Sequence, residues 1–191
     1  MDELLIDGGM IRKLWPGESK AYRDHLLRLD PESRHNRFGG AVADEFVAAY
    51  AAGAMRGRGV LHAFLVDRVL RGVAELKPFG SGLPTEAEVA FSIEKPWQSH
   101  GVGSALLERT LLAARNRGIK LVHMACLGEN ARMQQLARKY EAELRVDLGS
   151  VVGEVTAAQA TPLSLFREML ADGHGVAAAV LDVQARMLRS A

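Results

Sequence analysis

The sequence has little of several features that mark specialised classes of protein. Its 191 residues include one cysteine, Cys126, so an internal disulfide bond is impossible. No apolar run reaches about 18 residues, which is the length that a membrane-spanning helix needs. The first ten residues carry acidic side chains and no basic one, unlike the start of a secretory leader. Together these absences predict a cytoplasmic protein with no membrane partner.

The sequence also lacks an excess of charge of either sign. The 24 basic and 23 acidic side chains leave a formal net charge of +1, which gives no electrostatic case for a nucleic-acid partner. The six histidines show no metal-ligand spacing with Cys126 or with the acidic residues, so no metal site is predicted. The 48% apolar and 25% charged fractions are those of an ordinary globular protein.

The most informative stretch spans residues 88–118. A short apolar run at 89–93 predicts a strand, Pro96 marks a turn, and a helical pattern of apolar residues ends at Gly118. Gly101 and Gly103 lie at the start of that helix. The first amides of a helix have no internal partners, so a glycine turn at this place predicts an anion-binding site. The alternative is that the glycines only shape a tight turn.

The order of elements around this stretch predicts a mixed α/β domain. Residues 60–66 and 69–76 form a hairpin joined by a two-residue turn. Residues 120–127 are almost continuously apolar, which predicts a central strand buried on both faces and parallel to the strand at 89–93. The other expected elements are a strand at 9–14, helices at 18–29, 31–38 and 44–52, a loop at 77–86, a helix with Asn130 as N-cap, and strands at 144–148 and 151–155.

The pattern of the sequence changes near residue 159 from short strands to helices. We therefore expect a domain at 1–158 and a helical extension at 159–191. Thr161 and Pro162 have the pattern of a cap followed by a first helical residue. A helix is predicted to about residue 171, followed by a break at 172–175 and a second helix at 176–188. The extension packs either on the domain or on another subunit, as in a homodimer.

Specific motifs make residues 8–155 similar to the GCN5-related N-acetyltransferase (GNAT) superfamily. They are Gln98-x-x-Gly101-x-Gly103 before a helix, a preceding Glu88-Val-Ala-Phe strand, and Asn130-Ala-x-Met at the next helix. The upstream segment Ser33-Arg-x-x-Arg-Phe resembles GNAT domains of bacterial protein acetyltransferases. This resemblance implies a mostly antiparallel sheet with a central parallel pair of strands and flanking helices.

The resemblance also implies acetyl-CoA as co-substrate. Its pyrophosphate would lie on the backbone at the glycine turn, its pantetheine arm would pair with the strand before the turn, and Asn130 would either contact it or serve only as an N-cap. The residues implicated in this binding are Phe91, Ser92, Ile93, Gln98, Ser99, His100, Gly101, Val102, Gly103, Ser104, Ala105 and Asn130.

Acyl transfer to an amine needs a base that removes a proton from the amine. Glu88 is the first candidate, because family members often carry a glutamate there, and strand alternation places it on one face with Ala90 and Ser92. Glu75 on the neighbouring strand is the second candidate. Either residue could instead be an exposed charge on a strand.

One departure from the family pattern concerns the general acid. The tyrosine that many members use corresponds to Ala137, and Tyr140 lies three residues later, at a position that aligns with the core. The predicted function is N-acetyl transfer to a primary amine of a small molecule, a lysine or a protein N-terminus. The alternative is a non-catalytic acyl-CoA-binding or regulatory module of the same fold.

Overall fold

The computed structural model of the protein describes residues 5–6, 8–80, 83–147 and 150–173. The strands are β1 (Leu5–Ile6), β2 (Gly9–Lys13), β3 (Val60–Val66), β4 (Val69–Pro78), β5 (Glu86–Ile93), β6 (Leu121–Leu127), β7 (Glu143–Asp147) and β8 (Ser150–Thr156). The helices are α1 (Ser19–Arg28), α2 (Pro31–Phe38), α3 (Asp44–Arg56), α4 (Val102–Asn116), α5 (Ala131–Lys139) and α6 (residues 162–173).

All the described strands belong to one sheet in the order β1-β2-β3-β4-β5-β6-β8-β7. Its neighbouring strands pair antiparallel, except that β5 and β6 run parallel on either side of α4. The hairpin between β3 and β4 turns at Asp67 and Arg68, whose positive φ angles of 48° and 65° suit a tight two-residue connection. The predicted fold class, a mostly antiparallel sheet with a central parallel pair, is therefore confirmed.

The sheet carries a hydrophobic core on each face. On one face, Tyr22 and Leu26 of α1 and Val47 of α3 pack against residues of β3 and β4 such as Leu61 and Val73. On the other face, α4 packs against residues including Phe64, Leu76 and Val89. The core residues in each group are buried, so the sheet is the middle layer of three.

Helix α3 and strand β1 differ from the prediction. Helix α3 continues through Gly53 to Arg56. A glycine inside a helix costs about 1 kcal/mol relative to alanine, and burial of Ala51 and Met55 in the core offsets that cost. The short strand β1 was not predicted, because two residues give no periodic pattern.

The prediction that residues 120–127 are buried on both faces is wrong. Val122 and Met124 of β6 are buried in the core beneath α4, but Ala125 on the opposite face is exposed and His123 is half-buried. Helices α1 and α3 lie over β3 and β4 and leave this face of β6 open. The apolar run therefore marks a strand that is covered on one side only.

The described part of the extension packs on α4. Asn116 donates hydrogen bonds to the Ser164 carbonyl at 3.0 Å and to the Glu168 carboxylate at 2.7 Å, and Arg117 pairs with Glu168 at 2.6 Å. The face of α6 that points away from α4 exposes large apolar side chains, namely Leu163, Leu165, Phe166, Met169 and Leu170.

The predicted break in the extension does not begin at residue 172, because residues 172 and 173 continue α6. The remaining residues of that break and the predicted second helix at 176–188 lie outside the described residues. None of the helices in the described ranges is both long enough and apolar enough to span a membrane.

Candidate active site

The two parallel strands at the centre of the sheet separate part-way along their length. Strand β5 pairs with β6 only at Glu86, Ala87 and Glu88, the last of which lies beside His123. Strand β6 then continues with β8 as its partner as far as Leu127. The rest of β5 keeps its partner β4 on one side and leaves a gap on the other.

Hydrogen bonds at the two ends of β5 show which backbone groups face this gap. The Glu94 amide donates to the Arg71 carbonyl, and the Phe79 amide donates to the Glu86 carbonyl. In a regular antiparallel ladder such pairs recur at every second residue. Even-numbered residues of β5 therefore bond to β4, whereas Phe91 and Ile93 direct their backbone polar groups into the gap. The Ser92 backbone was predicted to pair with the pantetheine arm, but it faces β4 and not the gap.

The turn after β5 ends at the N-terminus of α4. Gly101 is the N-cap and has a φ of +82°, a backbone conformation that residues with a Cβ atom rarely adopt. Among the described residues no side chain caps this helix, so its first amides are open to a ligand. Gly103 differs, since an added Cβ atom would meet Ile93 and Leu136 at an ordinary 3.6 Å. Packing within the protein therefore does not require a glycine at position 103.

A cavity of about 430 Å³ joins the gap to the N-terminus of α4. Its walls come from α2, β5, the turn, β6 and α5. The predicted cofactor-binding residues on these walls are Phe91, Ser92, Ile93, Gln98, Ser99, Gly101, Gly103, Ser104 and Asn130. Three others lie elsewhere: Val102 and Ala105 pack on the core, and His100 is exposed outside the cavity wall.

Gln98 links the turn to two other elements. Its Nε2 donates to the Ile93 carbonyl at 2.8 Å and to the Ser33 hydroxyl at 2.8 Å. The Ser33 hydroxyl in turn donates to Asp30 at 2.6 Å, at the N-terminus of α2. Sequence reasoning noted Ser33 and Gln98 separately. The contact that joins them spans 65 residues and could not be read from either motif.

Asn130 caps α5 as predicted. Its Oδ1 accepts a hydrogen bond from the Met133 amide at 3.1 Å, which satisfies one of the open donors of that helix. The residue also lines the cavity. Its capping oxygen is therefore occupied, and the amide nitrogen is the group that can reach a ligand.

Glu88 is placed where the two strands separate. It is half-buried on the face of β5 opposite α4, and its neighbours across the strands are Lys77 and His123. Its side chain makes no hydrogen bond or ion pair with any residue that the structure describes. Glu88 does not form part of the cavity wall itself.

Glu75 is held by a buried network. Its Oε2 accepts hydrogen bonds from Tyr22 at 3.1 Å, Tyr50 at 2.6 Å and Arg37 at 2.8 Å. Burial raises the pKa of Tyr50 to about 12, with a contribution from Glu75, so its hydroxyl remains a donor near neutral pH. A carboxylate that accepts three hydrogen bonds and lies away from the cavity is poorly placed to accept a proton from a substrate.

A second buried network holds the end of β5. His25 of α1 is completely buried, and its ring nitrogens lie 3.0 Å from the Ser92 hydroxyl and 3.2 Å from Glu94. Arg28 and Arg71 pair with the same Glu94 carboxylate. Burial lowers the pKa of His25, although Glu94 opposes this effect. Sequence reasoning missed this cluster, because its members are scattered among elements that carry no shared motif.

The position expected for a general acid holds no polar group. Ala137 is buried in the core beneath the sheet. The Tyr140 hydroxyl lies 2.7 Å from the Glu108 carboxylate and 3.1 Å from the Ser104 carbonyl, outside the cavity wall. Burial, with the neighbouring Glu108, raises the pKa of Tyr140. Neither residue is placed to protonate a leaving group in the cavity.

Comparison with known proteins gives the family of this fold and cavity. Residues 9–141 match the sequence profile of the acetyltransferase (GNAT) family. The chain belongs to the GNAT family. Acyl transfer is the general activity of GNAT acetyltransferases, and the matched residues contain both the glycine turn and the gap between the strands.

Solved GNAT structures share the fold. The GNAT domain of S. lividans PAT is 22% identical and has a TM-score of 0.69, with 80% of this chain and 94% of that chain covered. The Salmonella typhimurium protein yncA, solved with acetyl-CoA, is 14% identical with a TM-score of 0.60 over 81% and 97% of the two chains. PaiA N-acetyltransferase from Thermoplasma acidophilum, solved with coenzyme A, is 16% identical with a TM-score of 0.60 over 78% and 98%. The resemblance to a bacterial protein acetyltransferase is thus confirmed at the level of the fold.

Metal chemistry has no candidate centre in the part of the chain that the structure describes. Within those ranges no three His, Cys, Asp or Glu side chains group in a way that could hold a metal ion.

The Glu75 network predicts a large effect on stability. Glu75→Gln should lower the free energy of unfolding by about 3 kcal/mol, because the buried Arg37 guanidinium would lose its counter-charge. Urea unfolding monitored by circular dichroism measures the change. Glu88→Gln on the adjacent strand is the matched control and should change the free energy by less than about 0.5 kcal/mol. Equal effects of the two substitutions would contradict the role given to Glu75.

Proposed function

We propose that this GNAT protein is an acetyl-CoA-dependent N-acetyltransferase that acts on a primary amine by direct attack. The observation that carries the proposal is the junction of an open strand edge with an uncapped helix N-terminus in one cavity. A thioester with an extended amide-containing arm and a pyrophosphate matches these two features. Of the relatives described above, yncA was solved with acetyl-CoA and PaiA with coenzyme A, and for this chain acetyl-CoA is a proposed co-substrate.

The cavity suggests how each part of the ligand would be held. The amides at residues 101–105 would bind the pyrophosphate, and the space left at Gly103 would let it approach the backbone closely. Phe91 and Ile93 would pair with the pantetheine arm as if it were an added strand. The Asn130 amide nitrogen would donate to the ligand from the opposite wall. Acetyl-CoA would supply an activated acyl carbon at the closed end of the gap.

Glu88 is the proposed base. Its carboxylate is half-buried, makes no internal pair in the described ranges, and lies at the closed end of the gap. It would take the proton from the amine, directly or through water, as the amine nitrogen bonds to the acyl carbon. The carbon–sulfur bond then breaks, and the thiolate takes a proton from solvent. Glu75, the second candidate, is better suited to hold Arg37 and α2 in place.

The amine would approach from the open face of β5 and β6. This face lies beside α2 and Phe79, whose ring is 5.5 Å from that of His123. Ala125 is exposed there, so an acceptor can reach the gap. The acceptor class remains a primary amine of a small molecule, a lysine side chain or a protein N-terminus.

One observation favours the second candidate function, a non-catalytic acyl-CoA-binding module. The tyrosine position is filled by the buried Ala137, and the Tyr140 hydroxyl is engaged by Glu108. The same cavity would then bind acetyl-CoA without supplying an acid to the leaving group. Turnover with an amine separates the two functions.

Residues 159–191 are proposed as a helical extension of the GNAT domain. The contacts between α6 and α4 support packing on the domain, and the apolar outer face of α6 is consistent with a homodimer. The cytoplasmic location also stays a prediction, and it rests on the single cysteine.

Binding of the co-substrate is the first test. Acetyl-CoA at millimolar concentration should raise the melting temperature, because it binds only the folded state. Gly103→Trp should abolish the rise by filling the cavity at the helix N-terminus. Gly53→Trp, at an exposed site in α3 with open space around it, is the matched control and should keep the rise. If acetyl-CoA does not change the melting temperature of the unsubstituted protein, the proposal is overturned.

Turnover is the second test. A panel of polyamines, aminoglycosides, basic peptides and lysine-containing proteins should include an acceptor that the protein acetylates. Glu88→Gln should then lower kcat/KM by about 100-fold or more without weakening acetyl-CoA binding. Glu86→Gln, two residues away on the same strand and face, is the control. Acetyl-CoA binding with no turnover across the panel would favour the binding module, and full activity of Glu88→Gln would remove Glu88 as base.

A further inference from the structure

Helix α2 lies along β5 and borders the gap on the face of the sheet opposite α4. Its first turn is tied to the end of β5, because Gln98 bonds both Ser33 and the Ile93 carbonyl at 2.8 Å. Its last turn is tied to β4 by the 2.8 Å bond between Arg37 and Glu75. Glu75 is directly opposite Ala90 in the strand register. The helix therefore extends from the turn towards the closed end of the gap.

Three polar side chains of α2 line the cavity, and one of them has no hydrogen-bond partner among the described residues. Ser33, Asn36 and Arg37 share one helical face because their spacing is three and four residues. Ser33 bonds Asp30 and Gln98, and Arg37 bonds Glu75 and Tyr50. The Asn36 amide makes no hydrogen bond with the residues that the structure describes. A half-buried amide that lines a cavity without a partner is suited to a ligand.

The position of Asn36 indicates which part of a ligand it would meet. Because a helix rises 1.5 Å per residue, Asn36 is about 4.5 Å further along α2 than Ser33, towards Ala90. The cavity wall at this end includes Ala90 and Ala125, and its other end is the N-terminus of α4. A ligand with its pyrophosphate at the helix would place its acyl group at the end near Asn36.

We propose that the side-chain amide of Asn36 donates a hydrogen bond to the acyl carbonyl oxygen, and so is a catalytic residue of the transfer. This assignment rests on the proposed function. Negative charge grows on that oxygen as the amine nitrogen bonds to the carbon, and a fixed donor stabilises it. The backbone N–H of Phe91 faces the same gap and is the second donor. Arg37 is less suited to this role, because Glu75 already neutralises its charge.

The test compares acetyl-CoA with CoA, which lacks the acyl group and therefore its carbonyl oxygen. Asn36→Leu keeps the size of the side chain and removes the donor, so it should weaken acetyl-CoA binding about fivefold and leave CoA binding unchanged by calorimetry. It should also lower kcat about 100-fold with an acceptor from the amine panel. Gln135→Leu, at another polar residue of the cavity wall, is the control and should affect both ligands equally or not at all.

Asn36→Asp distinguishes two possible partners of Asn36, namely the acyl oxygen and the amine of the acceptor. A carboxylate would repel the growing charge on oxygen, so kcat should fall further than in Asn36→Leu. Full or increased activity of Asn36→Asp would overturn the assignment and indicate contact with a cationic amine. Equal loss of CoA and acetyl-CoA binding in Asn36→Leu, or no loss of either, would also overturn it. Failure of the unsubstituted protein to bind either ligand would instead overturn the proposed function, and the assignment with it.

Discussion

The separation of β5 from β6 beyond Glu88 and His123 is the constraint on which the site depends. Unpaired backbone groups inside a protein are costly, so a gap in the middle of a sheet needs compensation. Here the Gln98 side chain satisfies the Ile93 carbonyl, and the cavity leaves the remaining groups open to a ligand. The glycine turn ends at the mouth of this gap and adds the open amides of α4. Strand edge and helix N-terminus thus form one continuous polar surface.

Polar networks on the opposite side of β5 hold this surface in place. Glu75 and Arg37 fix the end of α2, whereas His25 and Glu94 fix the end of β5. Each network buries charge that is paired within the protein, which makes the strand and the helix costly to displace. Within the part of the chain that the structure describes, the side chains of Glu88 and Asn36 have no such internal partner. Their place at the closed end of the gap motivates the roles proposed for them.

Local signals in the sequence predicted much of this arrangement. Some features depend on only a few neighbouring residues, so they can be recognised in the sequence. They are the two-residue turn at 67–68, the glycines at the start of α4 and the cap at Asn130. The open face of β6 could not be predicted, because it depends on which helices cover it. The partners of Glu75 lie 25 to 53 residues away, and no periodic pattern reports such contacts. The two candidate carboxylates could therefore be identified in the sequence, whereas the difference between their hydrogen-bond partners could not.

The most direct measurement is residue-resolved amide exchange by NMR, with and without saturating acetyl-CoA. We expect the amides of Phe91 and Ile93 to exchange freely in the unliganded protein and to exchange about tenfold more slowly, or slower still, when acetyl-CoA binds. Ala90 and Ser92, which bond to β4, should be protected in both states. Unchanged exchange at Phe91 and Ile93 in the saturated protein would contradict the claim that the gap between β5 and β6 is the binding site.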